Sequence, residues 1–369
     1  MAETLGLYFH IPFCAGGKCP YCDFYSLPYT REAADRYVRA LEKRMESWGE
    51  RARGRSADTV YFGGGTPALL GARLGALLAK ARACFAVDPG AEITLEANPG
   101  SVGYEILAPL REAGFNRLSL GMQSAQRGEL AALGRRHTPE DTARAVADAR
   151  RAGFDNLSLD LMLCTPGQTR GSLLASVRAA CALRPEHISA YLLKVEPGTP
   201  FARRQGSLAL PDEDEQAAMY LLCCEALEEE GLRQYEISNF ARPGFASRHN
   251  LRYWDCREYL GLGPAAHSFF EGRRFYYPRD LGAFAAGAPP VPDGEGGSLE
   301  EYLMLRLRLS EGVTERQLKE RAGKDLGIFP PEKTAPLERA GLIERTPGRL
   351  RLTRRGFLVS NSVLSSLIF

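Results

Sequence analysis

The sequence predicts an α/β protein: a parallel sheet of six strand–helix units with a small α+β domain behind it. Three features predict this. Short apolar runs alternate with amphipathic helical stretches over the first two-thirds of the chain; the rhythm changes after Pro211; and a basic hairpin follows several helices near the C-terminus. The apolar runs are Leu5–Ile11, Thr59–Phe62, Ile93–Ala97, Arg117–Leu120, Leu157–Met162 and Ile188–Leu192. Helical patterns lie between them at Ala33–Arg51, Leu74–Cys84, Glu105–Ala113, Asp141–Arg151 and Ser172–Leu183. Gly-aromatic pairs such as Gly114-Phe115 and Gly153-Phe154 stop these helices. Parallel strands with right-handed crossovers follow, as an open partial barrel or a doubly wound sheet; the pattern alone does not choose.

A long helix is predicted over Glu213–Glu230, then an extended segment Gln234–Phe240. The Ala-, Gly- and Pro-rich stretch 282–297 reads as a linker. Helices near Leu299–Leu309, Glu315–Ala322 and Pro336–Ala340 precede a hairpin, Leu342–Thr346 against Arg349–Thr353, turning at Pro347-Gly348. The predicted organisation is residues 1–210 as the sheet unit, 211–281 as an extension covering it, 282–297 as the linker and 298–369 as a winged-helix-like cap. Such folds bind DNA or simply pack. A net charge of +2 over 369 residues favours packing, and no nucleic acid partner is expected.

Hydrophobic residues make up 44% and charged residues 25%, the balance of an ordinary globular protein. The first apolar run is too short for a signal or membrane segment, so the expected compartment is the cytosol. Of the nine cysteines, three fall within nine residues: Cys14, Cys19 and Cys22. Three thiolates on a Gly- and Pro-containing loop can occupy three corners of an iron–sulfur cubane and leave one iron open. Zinc competes, but a structural zinc site needs a fourth ligand. A redox pair at Cys19-Pro20-Tyr21-Cys22 competes as well, as do three buried free thiols. Cys84, Cys164, Cys181, Cys223, Cys224 and Cys256 read as small buried hydrophobes.

Further polar or glycine-rich residues fall at the carboxyl ends of successive strands: Gly63-Gly64-Gly65-Thr66, Glu96, Gln123 and, just beyond, Arg135; Asp160 sits within the fifth strand. In parallel α/β folds such ends converge on one mouth, where ligands bind. The segment from His10 to Phe24 resembles the cluster loop of the radical SAM superfamily, in which S-adenosylmethionine (SAM) chelates the open iron. That resemblance implies a 4Fe–4S cluster on Cys14, Cys19 and Cys22 and a six-unit partial TIM-like barrel of the radical SAM type. It also implies that Tyr21 lies near the adenine. The loop departs from the family by holding four residues, Ala15 to Lys18, between its first two cysteines instead of three; Gly16-Gly17 can absorb the extra residue as a bulge.

The resemblance extends to the HemN-like branch through Pro166-Gly167-Gln168-Thr169, Glu196-Pro197-Gly198-Thr199, Gln234 to Phe240 and Tyr259 to Ser268. It implies SAM contacts at Tyr8, Gly64, Gly65, Thr66, Glu96, Gln123, Arg135 and Asp160. The branch contains oxygen-independent coproporphyrinogen III oxidases and heme chaperones. Phe24 in place of a fourth cysteine, the short segment before His10, and the His-Asn-x-x-Tyr-Trp pattern of Arg248 to Trp254 favour the chaperones. His249, Tyr253 and Trp254 are then expected to contact heme, with Arg248 or Arg252 on its propionates and Cys256 as an outside candidate for a second ligand. Acceptor hemoproteins, respiratory enzymes at the membrane surface and a homodimer follow from the same resemblance. A zinc- or DNA-binding regulator is the competing reading of another class. His187 and His267 are expected to be buried and hydrogen-bonded, and His10 to lie near the cluster.

Overall fold

The computed structural model describes residues 4–368. The six expected strands are Leu5–Ile11, Ser56–Gly64, Ala86–Ala97, Arg117–Gln123, Leu157–Leu163 and His187–Leu192. They stand side by side in chain order, each parallel to the next. All seven residues of Arg117–Gln123 are buried, as a strand covered on both faces requires. The helix Arg31–Arg51 packs Tyr37, Leu41, Met45 and Trp48 inward, a spacing that keeps one face on the core. Helices Pro139–Arg151 and Arg170–Ala182 start at capping boxes, Thr138 with Asp141 and Thr169 with Ser172.

The sheet is larger than predicted. A seventh parallel strand, Tyr259–Leu262, pairs with Leu5–Ile11, and His267–Phe270, Arg273–Tyr276 and Val291–Glu295 extend it antiparallel. On the other side Asn239–Ala241 pairs antiparallel with His187–Leu192, and Arg233–Gln234 closes the row, giving twelve strands in one sheet. Stretch 282–297, expected as a linker, instead continues the helix Leu281–Ala285 and supplies the edge strand Val291–Glu295. The composition misleads because Pro292 and Gly294 are tolerated on an exposed edge.

Near the C-terminus, Val313–Thr314, Ile343–Thr346 and Arg349–Leu352 form a three-stranded sheet beside the helices Leu299–Arg306, Glu315–Ala322 and Pro331–Arg339. Two further helices that the sequence pattern does not announce, Arg354–Leu358 and Ser360–Ile368, pack onto it. The apolar cluster here includes Leu307, Phe329, Leu350 and Phe357, together with Cys256 and Phe269 from the large sheet's side. Buried Arg306 pairs with both Asp255 and Glu311, fastening the cap to the segment after Trp254.

Candidate functional site

The cysteine loop leaves the first strand at Ile11 and is pinned at both ends. Leu27 N–H donates to the Pro12 carbonyl at 2.7 Å, and Tyr29 N–H donates to the Cys14 carbonyl at 3.2 Å. Between these ends Gly16 and Gly17 have φ of 69° and 104°, the left-handed region where glycine is at ease. Cys14, Cys19 and Cys22 remain half-buried on the wall of one cavity of about 460 Å³. Among the described residues no three His, Cys, Asp or Glu side chains gather closely enough to hold a single metal ion. The three thiols line a common space, and a cubane would take one thiolate on each of three irons. A zinc ion would need them drawn together with a fourth ligand.

The cavity also collects Tyr21, Gly64, Gly65, Thr66, Glu96, Gln123, Arg135 and Asp160, eight of the nine residues expected to contact SAM. The glycine triplet is there for close approach. A Cβ on Gly65 would lie 2.4 Å from the Phe13 carbonyl oxygen, and Gly65 and Thr66 donate their N–H groups to Ile11 and Phe13. Gly64 N–H donates to Glu96 Oε2 at 3.0 Å, and Tyr61 Oη donates to Glu96 Oε1 at 2.7 Å. Burial nevertheless pushes Glu96 up to about 7 and Asp160 up to about 6. Both carboxyls therefore favour a ligand that brings hydroxyl donors, as a ribose does. Arg135 reaches both halves of the site. Its Nη2 donates to Asn98 Oδ1 at 2.6 Å and to the Gly121 carbonyl at 2.8 Å, while Nη1 lies 3.9 Å from Cys19 Sγ. Two further cavity residues emerge only in three dimensions. Asn98 bridges Arg135 and Thr66 Oγ1, and Tyr191 Oη donates to Gln123 Oε1 at 3.0 Å. Nothing in the linear order marks their side chains as inward-facing. The residues present fit a three-cysteine cluster with a nucleoside ligand beside it.

Tyr8 lies elsewhere, on the wall of a second cavity, with its hydroxyl 3.0 Å from His10 Nδ1. His10 is near the cluster loop as expected, its Nε2 2.9 Å from the Tyr25 carbonyl.

The expected heme residues lie in the following surroundings. Arg248–Trp254 is a short helix whose first N–H groups donate to Glu92, and His249 is only 1% exposed. Its Nδ1 lies 2.9 Å from Thr59 Oγ1 and its Nε2 2.8 Å from Tyr253 Oη, and its ring stacks on Tyr61. Both ring nitrogens thus have protein partners in this arrangement, and burial drives the pKa down to about 3. Arg252 is likewise buried, paired with Asp58 and bonded to the Thr4 and Glu258 carbonyls. Trp254 lines neither of these two cavities, whereas Tyr253 lines the second. His187 is buried between Ser158 and Tyr235 as predicted. His267, expected to be buried, is exposed.

Residues 8–180 match the Radical SAM superfamily, and residues 298–359 match the HemN C-terminal domain. The chain is 38% identical to the heme chaperone HemW of Mycobacterium tuberculosis (strain H37Rv), over 99% of this chain and 95% of that one. It is 36% identical to HemW of Bacillus subtilis over 98% of both chains, and 35% identical to HemW of Escherichia coli over 98% of this chain and 97% of that one. The structure of coproporphyrinogen III oxidase (HemN) from Escherichia coli superposes with a TM-score of 0.85 over 100% of this chain and 90% of that one, at 22% identity, a likeness of fold. The cysteine loop, the cavity it borders and the relation along nearly the whole length place the chain in the HemW family of radical SAM proteins.

Proposed function

We propose that this protein is a heme chaperone that takes up heme and passes it to acceptor hemoproteins, with a 4Fe–4S cluster on Cys14, Cys19 and Cys22 and SAM in the adjoining cavity. The observation that carries this reading is the identity to HemW chaperones over nearly the full chain. In this reading Glu96 and Asp160 accept hydrogen bonds from ribose hydroxyls, Gln123 and Arg135 hold the amino-acid carboxylate, and the Gly64-Gly65 backbone lies along the methionyl part. Tyr21 flanks the adenine. When bound, the cluster and SAM supply a low-potential electron and a cleavable sulfonium. The chain's own part is to shield that pair under a Gly-rich loop and to hold its polar ends. We place the protein in the cytoplasm, with transient contact to respiratory hemoproteins at the membrane surface and homodimer formation as parts of the same proposal. No helix among the described residues is long and apolar enough to cross a membrane.

The test is transfer. Anaerobically reconstituted protein, loaded with heme and mixed with a heme-free acceptor, is expected to lose its Soret band as the acceptor gains one. Repeated decarboxylation of coproporphyrinogen III by the same preparation, given reductant and SAM, would overturn the chaperone reading in favour of the oxidase.

A further inference from the structure

The second cavity holds about 420 Å³, within the range of small-molecule sites of roughly 300–1,000 Å³. It shares one lining residue with the first, Phe24, which is 60% exposed. Its walls combine flat apolar surface with cationic groups. Tyr8, Tyr25, Tyr253 and Tyr259 provide aromatic faces, and Arg257 and Arg279 stand among them. A planar dianion with an apolar body matches such a lining.

The five histidines differ in what they can still bind. His10, His187 and His249 have protein partners on both ring nitrogens. His137 is buried against the Met122 carbonyl on the first cavity. His267 alone is exposed, has no side-chain hydrogen bond among the described residues, and lines the second cavity, its ring stacked on Tyr276 at 5.1 Å. Of the two arginines, Arg279 is 63% exposed and meets only Asp23, at 3.7 Å between charged groups and 3.2 Å to its carbonyl. Arg257 is half-exposed, bonds Thr4 at 2.5 Å and reaches Asp58 at 3.5 Å, a carboxylate already held by Arg252. Arg274, on the same wall, is already taken up by Glu301 and Phe269.

Resting on the chaperone reading, we propose that the second cavity is the heme seat, with His267 as the axial ligand to iron and Arg279 and Arg257 on the propionates. This replaces His249 as the ligand and sets the cargo beside Asp23, Phe24 and Tyr25, with Phe24 lining both cavities. Contact with the cavity wall lowers the His267 pKa, which keeps the ring neutral, the form that ligates iron.

The experiment is hemin titration of the full-length protein, reconstituted anaerobically, with the cluster spectrum subtracted. Wild type is expected to give a Soret band of histidine-ligated heme. His267→Ala is expected to shift that band and weaken binding roughly tenfold or more, with free imidazole restoring the band position. His249→Gln is expected to leave the band position unchanged. The double variant Arg257→Gln, Arg279→Gln is expected to weaken hemin binding but not binding of hemin dimethyl ester, which has no free propionates. A wild-type band that His267→Ala leaves unmoved overturns the seat while the chaperone reading stands. Loss of the band in His249→Gln with the fold retained by circular dichroism also overturns it. If wild type binds no hemin at all, both fall.

Discussion

Arg136 donates from Nη2 to the Gly16 carbonyl at 2.6 Å, bracing the four-residue segment between Cys14 and Cys19. A Cβ on Gly16 would lie 1.9 Å from Arg136 Nη1, and the Gly16 φ of 69° is strained for any other L-residue. Gly16→Ala therefore loses the brace and adds strain of about 1–2 kcal/mol in the loop that presents the cysteines. Iron bound per chain after anaerobic reconstitution is expected to fall. Gly71→Ala, also at positive φ but with nothing within 4 Å and outside the lining of the cavity, is expected to keep its iron.

Arg135 joins the cysteine loop to Asn98 and Gly121 across the cavity. Replacing it by Gln removes a charge-assisted bond of about 1.5–3 kcal/mol to the carboxylate of a bound amino acid moiety. SAM affinity measured by calorimetry on the reconstituted protein is expected to drop roughly ten- to a hundredfold. Unchanged affinity with the cluster intact would take Arg135 out of the nucleotide site.

His249 bears on stability. Its folded pKa of about 3 lies below the ordinary value of 6.5, so between those values the unfolded chain binds the extra proton. Stability contributed by the neutral imidazole is complete above pH about 6.5 and is lost as the pH falls toward about 3. His10, His137 and His187 are shifted the same way by burial, so the wild type is expected to lose thermal stability on acidification through this window. His249→Gln is expected to flatten part of that slope while costing about 1–3 kcal/mol at neutral pH through imperfect bonds to Thr59 and Tyr253. Thermal melts from about pH 4 to about pH 8 measure both effects; parallel curves for the two proteins would show that His249 carries no such linkage.

The Arg252–Asp58 pair is buried on the arginine side, and Thr4 and Glu258 accept further bonds from Nη1 and Nη2, while Nε has no partner. Arg252→Met leaves Asp58 with the Thr4 hydroxyl at 2.8 Å and the longer contact to Arg257 at 3.5 Å, and is expected to destabilise by about 3–5 kcal/mol. A change near zero in chemical denaturation would mean that Asp58 is already well solvated.

Much of this architecture is legible in the linear order because its strands are buried on both faces and read as apolar runs. The sequence predicts Leu5–Ile11 to the residue, and the cysteine loop stands out by spacing alone. The seventh parallel strand escapes such a reading because Tyr259-Leu260-Gly261-Leu262 is only four residues long and returns from far along the chain to pair with Leu5–Ile11. The edge strand at Val291–Glu295 looks like a linker since an exposed edge carries no apolar alternation. The burial of His249 and the exposure of His267 escape such a reading for a related reason. Burial of a lone histidine depends on partners distant in sequence, here Thr59 and Tyr61 for one and only Tyr276 for the other, and no local pattern reports them.

The most direct measurement concerns the three thiols. Protein reconstituted without oxygen is assayed for iron, sulfide and cluster absorption, alone and with SAM, as wild type and as the variant Cys14→Ala, Cys19→Ala, Cys22→Ala. The expected result is about four irons and four sulfides per wild-type chain, a spectrum that SAM perturbs, and loss of all three signals in the variant. A variant that keeps its cluster, or a wild type that acquires none, would contradict the account.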